Sequence, residues 1–185
     1  MPRILRVLSL LLSLLLASSV VLAQTPTATV PTELAQEGPI TQLQGQGRLS
    51  VMTFRIYEAR LWTTAKPVDS DWSSSLLALE LIYAHSFSGA SIAKRSIVEM
   101  QRQGEMDATD TASWLAAMKK IFPDVKKNDR ISVVNLPGVG ARFYYNGKHL
   151  GEVLDVDFAK LFIGIWLSPQ TSEPALRSAL LGESI

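Results

Sequence analysis

Cysteine is absent from the 185 residues of this chain, and histidine occurs only twice. The lack of thiols excludes disulfide bonds, thiolate metal ligands and a cysteine nucleophile. His85 and His149 lie 64 positions apart with no local ligand pattern around either one, which argues against a histidine metal site. We therefore expect no metal and no cofactor, and a chain of this length can bury a sizeable core without covalent cross-links.

Several enzyme motifs are also missing. The sequence contains no Gly-x-Ser-x-Gly turn of the kind that carries a serine nucleophile. The glycine pair at Gly138 and Gly140 lies between two predicted strands, whereas a phosphate-binding loop requires a helix to follow. The net charge is +1, and loss of residues 1–23 would leave 16 of the 18 basic residues against 17 acidic ones, a net charge of −1. This balance does not favour binding to nucleic acid.

The first 39 residues divide into two segments. Arg3 and Arg6 precede the apolar run of residues 7–16, and Val21-Leu22-Ala23 resembles a cleavage site, so residues 1–23 are predicted to be a secretory signal peptide. We expect export, to the periplasm, with no membrane span after cleavage. The alternative is a retained anchor, because the segment from residue 7 to Ala23 is close to the minimum of about 17 residues for a span. Residues 24–39 are rich in Thr, Pro and Gln and are predicted to be a disordered linker.

The remaining residues, 40–185, are predicted to form one domain. Alternating or continuous apolar segments predict strands over 40–48, 51–63 and 76–85, and three more between residue 130 and the helix at 158–167. Asn146-Gly147 is a strong hairpin signal within that second group. Helical periodicity predicts further helices over 91–103, 111–122 and 174–181. Strands joined by short connections, with helices grouped together, indicate an α+β fold: an antiparallel sheet of about six strands backed by a layer of helices.

One face of the predicted sheet has an unusual polar content. Arg48, Arg55 and Tyr57 lie on the first two strands, beside apolar neighbours. An arginine in an apolar cleft could hold a carboxylate or phenolate, because its planar fork bonds such a group in two places and stays charged. The alternative is that Arg48 and Arg55 face solvent and that the tyrosine is packing. The residues by themselves do not decide between these interpretations.

A series of short blocks in fixed order resembles the chalcone isomerase-like superfamily, in particular its short exported bacterial branch. The blocks extend from residue 45 to residue 182 and cover most of the predicted domain. They are Gly45-Gln46-Gly47-Arg48, Phe54-Arg55-Ile56-Tyr57, Ala59-Arg60-Leu61-Trp62, Asn128-Asp129, Leu136-Pro137-Gly138, Asn146-Gly147, Gly151, Phe158-Ala159, Ile163-Gly164-Ile165-Trp166-Leu167 and Leu180-Leu181-Gly182. The resemblance implies an antiparallel sheet backed by helices, in agreement with the class inferred from the patterns.

The resemblance also implies a ligand site. Arg48 is the best match to the arginine that lines the family's cleft, and Tyr57 falls where the plant isomerases carry a catalytic threonine. Leu161 or Phe162 falls where they carry a threonine that contacts substrate, and neither side chain can donate a hydrogen bond. We therefore expect a monomeric domain that binds a small apolar or anionic amphiphilic ligand at Arg48, Arg55, Tyr57, Leu161 and Phe162 without catalysis. The alternatives are an intramolecular lyase using Arg48 and Tyr57, and a partner-binding module of the cell envelope.

Overall fold

A computed structural model describes residues 28–69 and 71–183, so the predicted signal peptide, residues 1–23, lies outside the described residues. Among the described residues, six antiparallel strands follow one another in chain order across a single sheet. They are β1 Gln42–Val51, β2 Phe54–Thr63, β3 Leu77–Tyr83, β4 Arg130–Leu136, β5 Gly140–Tyr145 and β6 Lys148–Val153. The predicted fold class, an antiparallel sheet of about six strands backed by helices, is confirmed.

Within the part of the chain that the structure describes, five α-helices accompany the sheet. They are α1 Thr32–Ala35, α2 Gly89–Met100, α3 Ala108–Ile121, α4 Val156–Leu167 and α5 Pro174–Leu181. α4 and α5 pack on the sheet, chiefly on β5 and β1, whereas α2 packs mainly on α3 and α4. No helix within 28–69 and 71–183 has both the length and the apolar character needed to cross a membrane.

Local sequence signals explain where these elements begin and turn. Asn146 and Gly147 have φ angles of 49° and 83°, the positive values that a two-residue hairpin loop of type I′ requires. The Asp155 side chain accepts the backbone N–H of Phe158 and caps α4, as its position before the apolar helix predicts. α3 begins three residues before the predicted residue 111, because Asp107 caps it through the N–H groups of residues 109 and 110.

The two faces of the sheet bury different sets of side chains. We call the face covered by α2 to α5 the inner face; it contributes Leu61, Leu79, Val133 and Phe143 to the larger hydrophobic cluster. Side chains alternate along a strand, so Trp62, Ala78 and Val134 point to the opposite, outer face. The helix layer therefore rests on the more apolar face, and the polar side chains of the strands gather on the other.

The outer face is covered by residues 28–40, which we call the N-terminal arm. Leu34 in α1 and Ile40 are 0 % and 1 % exposed and pack on Trp62 and Val134. The predicted linker, residues 24–39, is therefore corrected over the described residues 28–39. Although the segment is poor in apolar residues, those it has are placed where the sheet can bury them.

Charged side chains hold the same arm against the sheet. Glu33 lies 2.8 Å from an Arg130 nitrogen, and Glu37 lies 2.7 Å from an Arg142 nitrogen. The Tyr144 hydroxyl donates a hydrogen bond to the Glu37 carboxylate. Burial of a carboxylate is costly unless it is paired and hydrogen-bonded, and each of these has such a partner. The polar side chains of the strands on this face therefore hold the N-terminal arm against the sheet.

Candidate functional site: a cavity between the sheet and the helices

A cavity of about 390 Å³ lies between the inner face of the sheet and the helix layer. Its walls come from β1, β2, β3 and β4 on one side and from α2 and α4 on the other. They include Tyr57, Leu81, Tyr83, Ile131, Val133 and Phe162. The volume falls within the range of small-molecule sites, about 300–1,000 Å³, and most of the lining is apolar, as such sites require.

The packing of α2 explains why a cavity exists at this place. α2 contacts α3 and α4 rather than resting on the central strands, which leaves space above β2 to β4. Two aromatic residues of the wall, Phe122 and Phe162, have ring centroids 6.1 Å apart, and Phe143 packs behind Phe162 with a centroid distance of 5.2 Å. These packed rings give the cavity a rigid apolar floor.

Tyr57 is a polar group at the wall of this cavity. The indole N–H of Trp166 donates a hydrogen bond of 3.0 Å to the Tyr57 hydroxyl oxygen. Burial raises the pKa of this hydroxyl above its ordinary value, so the group keeps its proton at any physiological pH. Among the hydrogen bonds of the described residues, the Tyr57 proton goes to no acceptor. It is therefore available to a ligand.

A charged group on α2 lies beside the cavity. Glu99 is almost fully buried, and nitrogens of Arg95 and Arg102 approach its two carboxylate oxygens to 2.5 and 2.9 Å. Neither contact has the geometry of a hydrogen bond. Arg95 lines the cavity and its side chain is 69 % exposed, so its guanidinium can reach a ligand group while it neutralises Glu99. Glu173 lines the cavity as a second acidic group.

Only two of the five predicted site residues line the cavity, Tyr57 and Phe162. Arg48 pairs with Glu58 in the register of β1 and β2, whereas Leu49 pairs with Tyr57. Because side chains alternate between faces, Arg48 points to the outer face and Tyr57 to the inner face. The Arg48 side chain is 66 % exposed and lies 3.8 Å from Glu58. The predicted convergence of Arg48 and Tyr57 on one pocket is thus corrected by the strand register.

The other two predicted residues also lie away from the cavity wall. Arg55 is exposed near the turn between β1 and β2. Leu161 is half-buried and packs against the larger hydrophobic cluster without lining the cavity, while its neighbour Phe162 does line it. One residue along a helix rotates the side chain by about 100°, so the two candidate positions in α4 could not both face the site.

Arg95 and Glu99 are the site residues that sequence reasoning missed. Their helix has an apolar stripe that includes Ile97 and Met100, and charged residues outside such a stripe are ordinarily expected to face solvent. In the structure Glu99 is 7 % exposed, because the stripe of Ile92 and Ser96 continues to position 99. Spacings of three and four residues place these positions on one helix face. The signal available in the sequence was therefore the helical spacing of Ser96 and Glu99 from Ile92.

Metal chemistry finds no support in the part of the chain that the structure describes. Across residues 28–69 and 71–183, no group of three or more His, Asp or Glu residues could hold a metal ion. His85 and His149 are both exposed and belong to different parts of the sheet periphery.

Comparison with known proteins places the chain in context. A family profile described as chalcone isomerase-like matches residues 23–182. An uncharacterized protein of Haemophilus influenzae is 34 % identical over 108 residues, which is 58 % of this chain and 52 % of that protein. The match thus spans about half the length of this curated relative. The crystal structure of a fatty-acid binding protein of Arabidopsis thaliana superposes with a TM-score of 0.61 at 13 % identity, over 78 % of this chain and 88 % of the other. At that identity the superposition shows a shared fold.

Proposed function

The chain belongs to the chalcone isomerase-like family, and on that premise we propose that it binds a small apolar ligand in the cavity without catalysing a reaction on it. The observation that carries the proposal is the cavity itself, about 390 Å³ of space walled by apolar strand and helix side chains. Protein interiors are close-packed, so a void of this size is unusual unless a molecule occupies it. The plant fatty-acid binding protein of the same fold supports this class of ligand.

The size of the cavity limits the ligand. A water-sized group occupies about 30 Å³ in a liquid, so 390 Å³ has room for about 13 such groups. This corresponds to an acyl chain of medium length or to a molecule with two aromatic rings. Each methylene that enters the cavity contributes roughly 0.8 kcal/mol to binding. An acyl chain of this length therefore supplies enough apolar surface for useful affinity.

The polar groups of the cavity indicate how the ligand is oriented. Arg95 is the basic residue among those that line it, and its exposed guanidinium can pair with a carboxylate at the entrance. The Tyr57 hydroxyl can donate a hydrogen bond to the same end of the ligand. We propose an anionic amphiphile whose head group lies beside Arg95 and whose chain extends toward Phe162 and Val133. Arg95 would then share its charge between Glu99 and the ligand.

Few donors in the cavity could stabilise a transition state. Isomerisation of a chalcone develops negative charge on an enolate, and catalysis requires several donors aimed at that charge. Within the described cavity lining, Arg95 is the single cation and already pairs with Glu99, and the Tyr57, Tyr83 and Ser172 hydroxyls are the other donors without a described acceptor. Loss of even one such donor typically costs about 10²-fold in rate. This supports ligand binding rather than a lyase or isomerase activity.

Ligand titration followed by tryptophan fluorescence tests the proposal, because Trp166 lies at the cavity wall. We expect saturable binding of fatty acids of medium length and weaker binding of much shorter ones. Ser96→Phe on α2 places a ring in the cavity and should abolish binding. Val98→Phe is the matched control, because Val98 is 49 % exposed on the same helix and does not line the cavity. Circular dichroism checks that both variants are folded.

A second comparison tests the head group. Arg95→Gln should lower the affinity for a fatty acid severalfold and leave the affinity for the fatty alcohol of equal length unchanged, because only the acid pairs with the guanidinium. The proposal fails if wild-type protein binds neither acids nor flavonoid-like acids and shows a clean unliganded mass in native mass spectrometry. It also fails if the protein cyclises a chalcone at a rate that Tyr57→Phe abolishes.

We further propose that the protein acts outside the cytoplasm, in the periplasm. The support is the pair Arg3 and Arg6 followed by the apolar run of residues 7–16, which is typical of a secretory signal. Fusion of residues 1–40 to an enzyme that is active only after export tests this directly. An inactive, cytoplasmic fusion would contradict it.

A further inference from the structure

The turn between β1 and β2 exposes large apolar side chains. Val51, Met52 and Phe54 are 55 %, 92 % and 65 % exposed, and we call residues 50–55 the hairpin tip. Met52 also has a φ angle of 55°, which is unfavourable for a residue other than glycine. An exposed thioether side chain in a strained backbone conformation brings no benefit to the folded domain alone. Exposed patches of this kind commonly mark an interaction site.

The hairpin tip projects beyond the rest of the sheet. β3 ends at Tyr83, which pairs with Tyr57, and the last backbone contact is from the Ala84 N–H to the Ile56 carbonyl. Residues 50–55 therefore pair only with each other, through Ser50 with Arg55 and Val51 with Phe54. Among the described strands, none besides β1 and β2 reaches the tip. The side chains of the tip can therefore insert into a deformable surface while the rest of the domain stays outside it.

Basic residues flank these apolar side chains. Arg55 is exposed in the tip and makes no ion pair with any described residue, and Arg48 is 66 % exposed with Glu58 3.8 Å away. Residues 50–55 contain no acidic side chain. Apolar side chains beside arginines match the interface of a bilayer, where the chains meet the acyl boundary and the cations meet anionic head groups.

The tip also lies at the cavity entrance. Val51 and Leu49, on the last residues of β1, both line the cavity, and Arg95 lines it from α2. A molecule leaving the cavity beside Val51 emerges next to Met52 and Phe54. The exposed apolar surface and the cavity are therefore continuous.

We propose that the hairpin tip docks the protein on a lipid bilayer that contains anionic lipids, and that ligand passes between bilayer and cavity along Val51. The docking stands on the tip alone, while the exchange of ligand rests on the proposed function. A protein partner fits the tip less well. Stable protein interfaces bury about 800 Å² on each side, and three side chains on a narrow turn supply a fraction of that area.

Vesicle co-sedimentation tests the docking, with vesicles of phosphatidylglycerol and phosphatidylcholine in about equal parts. Residues 24–185 are the protein to use, because both hydrophobic clusters lie within residues 28–181 and the apolar run of residues 7–16 would itself bind lipid. Wild type should bind these vesicles and bind pure phosphatidylcholine much less. Met52→Ser with Phe54→Ser should weaken binding roughly tenfold or more. Arg48→Gln with Arg55→Gln should weaken it roughly fivefold for each arginine.

The matched control replaces exposed apolar residues at the opposite end of the sheet. Val139 and Leu154 are 48 % and 64 % exposed, next to the far ends of β4 and β6, and Val139→Ser with Leu154→Ser should bind vesicles like wild type. The Met52 and Phe54 variant should keep full affinity for a fatty acid in the absence of vesicles, since neither residue lines the cavity. If wild type also fails to bind the fatty acid in the absence of vesicles, the proposed function is contradicted. The docking proposal is then still decided by vesicle binding alone.

Three results would overturn the docking proposal. Wild type could fail to bind anionic vesicles, or the Met52 and Phe54 variant could bind as well as wild type, or the control variant could lose binding to the same extent. A fourth would replace it: a concentration-dependent dimer in sedimentation velocity that disappears in the Met52 and Phe54 variant would identify a second copy of this chain as the occupant of the tip.

Discussion

Leu34→Ala in the N-terminal arm tests how firmly that arm belongs to the fold. The arm contains one short helix of four residues, α1, and a helix of that length is not stable by itself in water. Its order must therefore come from contacts with the outer face of the sheet. Leu34 is 0 % exposed and packs in a cluster with Ile40 and Trp62, so it is the apolar residue on which the contact depends most.

The expected cost is about 2–3 kcal/mol in the free energy of unfolding. Leucine-to-alanine substitutions at buried positions cost about 2–5 kcal/mol, from lost transfer free energy and from the cavity that remains. We expect a value in the lower half of that range, because the arm lies at the periphery and can settle into the space. The ion pairs of Glu33 and Glu37 remain in place and limit complete detachment.

Urea unfolding followed by circular dichroism measures this change. With a slope of about 2 kcal/mol per molar urea, the midpoint should fall by roughly 1 M or slightly more. Gln36→Ala is the control, because Gln36 is exposed in the same arm and its substitution should change stability by less than about 0.5 kcal/mol. If Leu34→Ala is as stable as the control, residues 28–40 behave as the linker that their composition predicts, and the packing argument is refuted.

Three further predictions follow from the structure. Burial, and to a lesser extent the hydrogen bond to Glu37, raises the pKa of Tyr144 from 10.0 to about 12. The contribution of this hydroxyl to stability is therefore complete below pH 10 and is lost as the pH rises from about 10 to about 12. Denaturant unfolding across that pH range checks this, and a stability that does not change with pH contradicts it. A side chain at Gly45 would collide with the backbone of α5, so Gly45→Ala should lower the melting temperature by several degrees, whereas an unchanged value would show that α5 moves freely. Asp155 caps α4 and accepts a hydrogen bond of 2.9 Å from the Trp114 indole N–H. Asp155→Ala should therefore lower the free energy of unfolding measured in urea by about 2 kcal/mol. Asp155→Asn should recover part of that loss, because its amide oxygen can still accept a hydrogen bond.

The elements of this fold could be predicted because their signals are local. Asn146-Gly147 needs only its own two positive φ angles to form a hairpin, and Pro174 at the first turn with Gly182 beyond the last residue defines α5. Asp155 caps α4 through a backbone group three residues away. None of these depends on a distant part of the chain. For the same reason the α+β class followed from the order of the segments.

The site was harder to predict because it depends on register and on the placement of a helix. Arg48 and Tyr57 are on adjacent strands, and a shift of one residue in their pairing would have moved Arg48 to the inner face. No feature of the two strands alone specifies that register. Glu99 and Arg95 border the cavity because α2 packs on its neighbouring helices and stands away from the central strands.

The sequence by itself determined the six strands, the helices α2, α3, α4 and α5 to within a few residues, and their class, since each follows from neighbouring residues and a period of two or 3.6. It also contained the family resemblance. Only the tertiary structure decided which face of the sheet received the helices, that the arm carrying Glu33 and Glu37 covered the other face, and that Arg95 rather than Arg48 reached the cavity. Those outcomes depend on contacts between residues far apart in the chain, and such contacts leave no periodic trace in either partner.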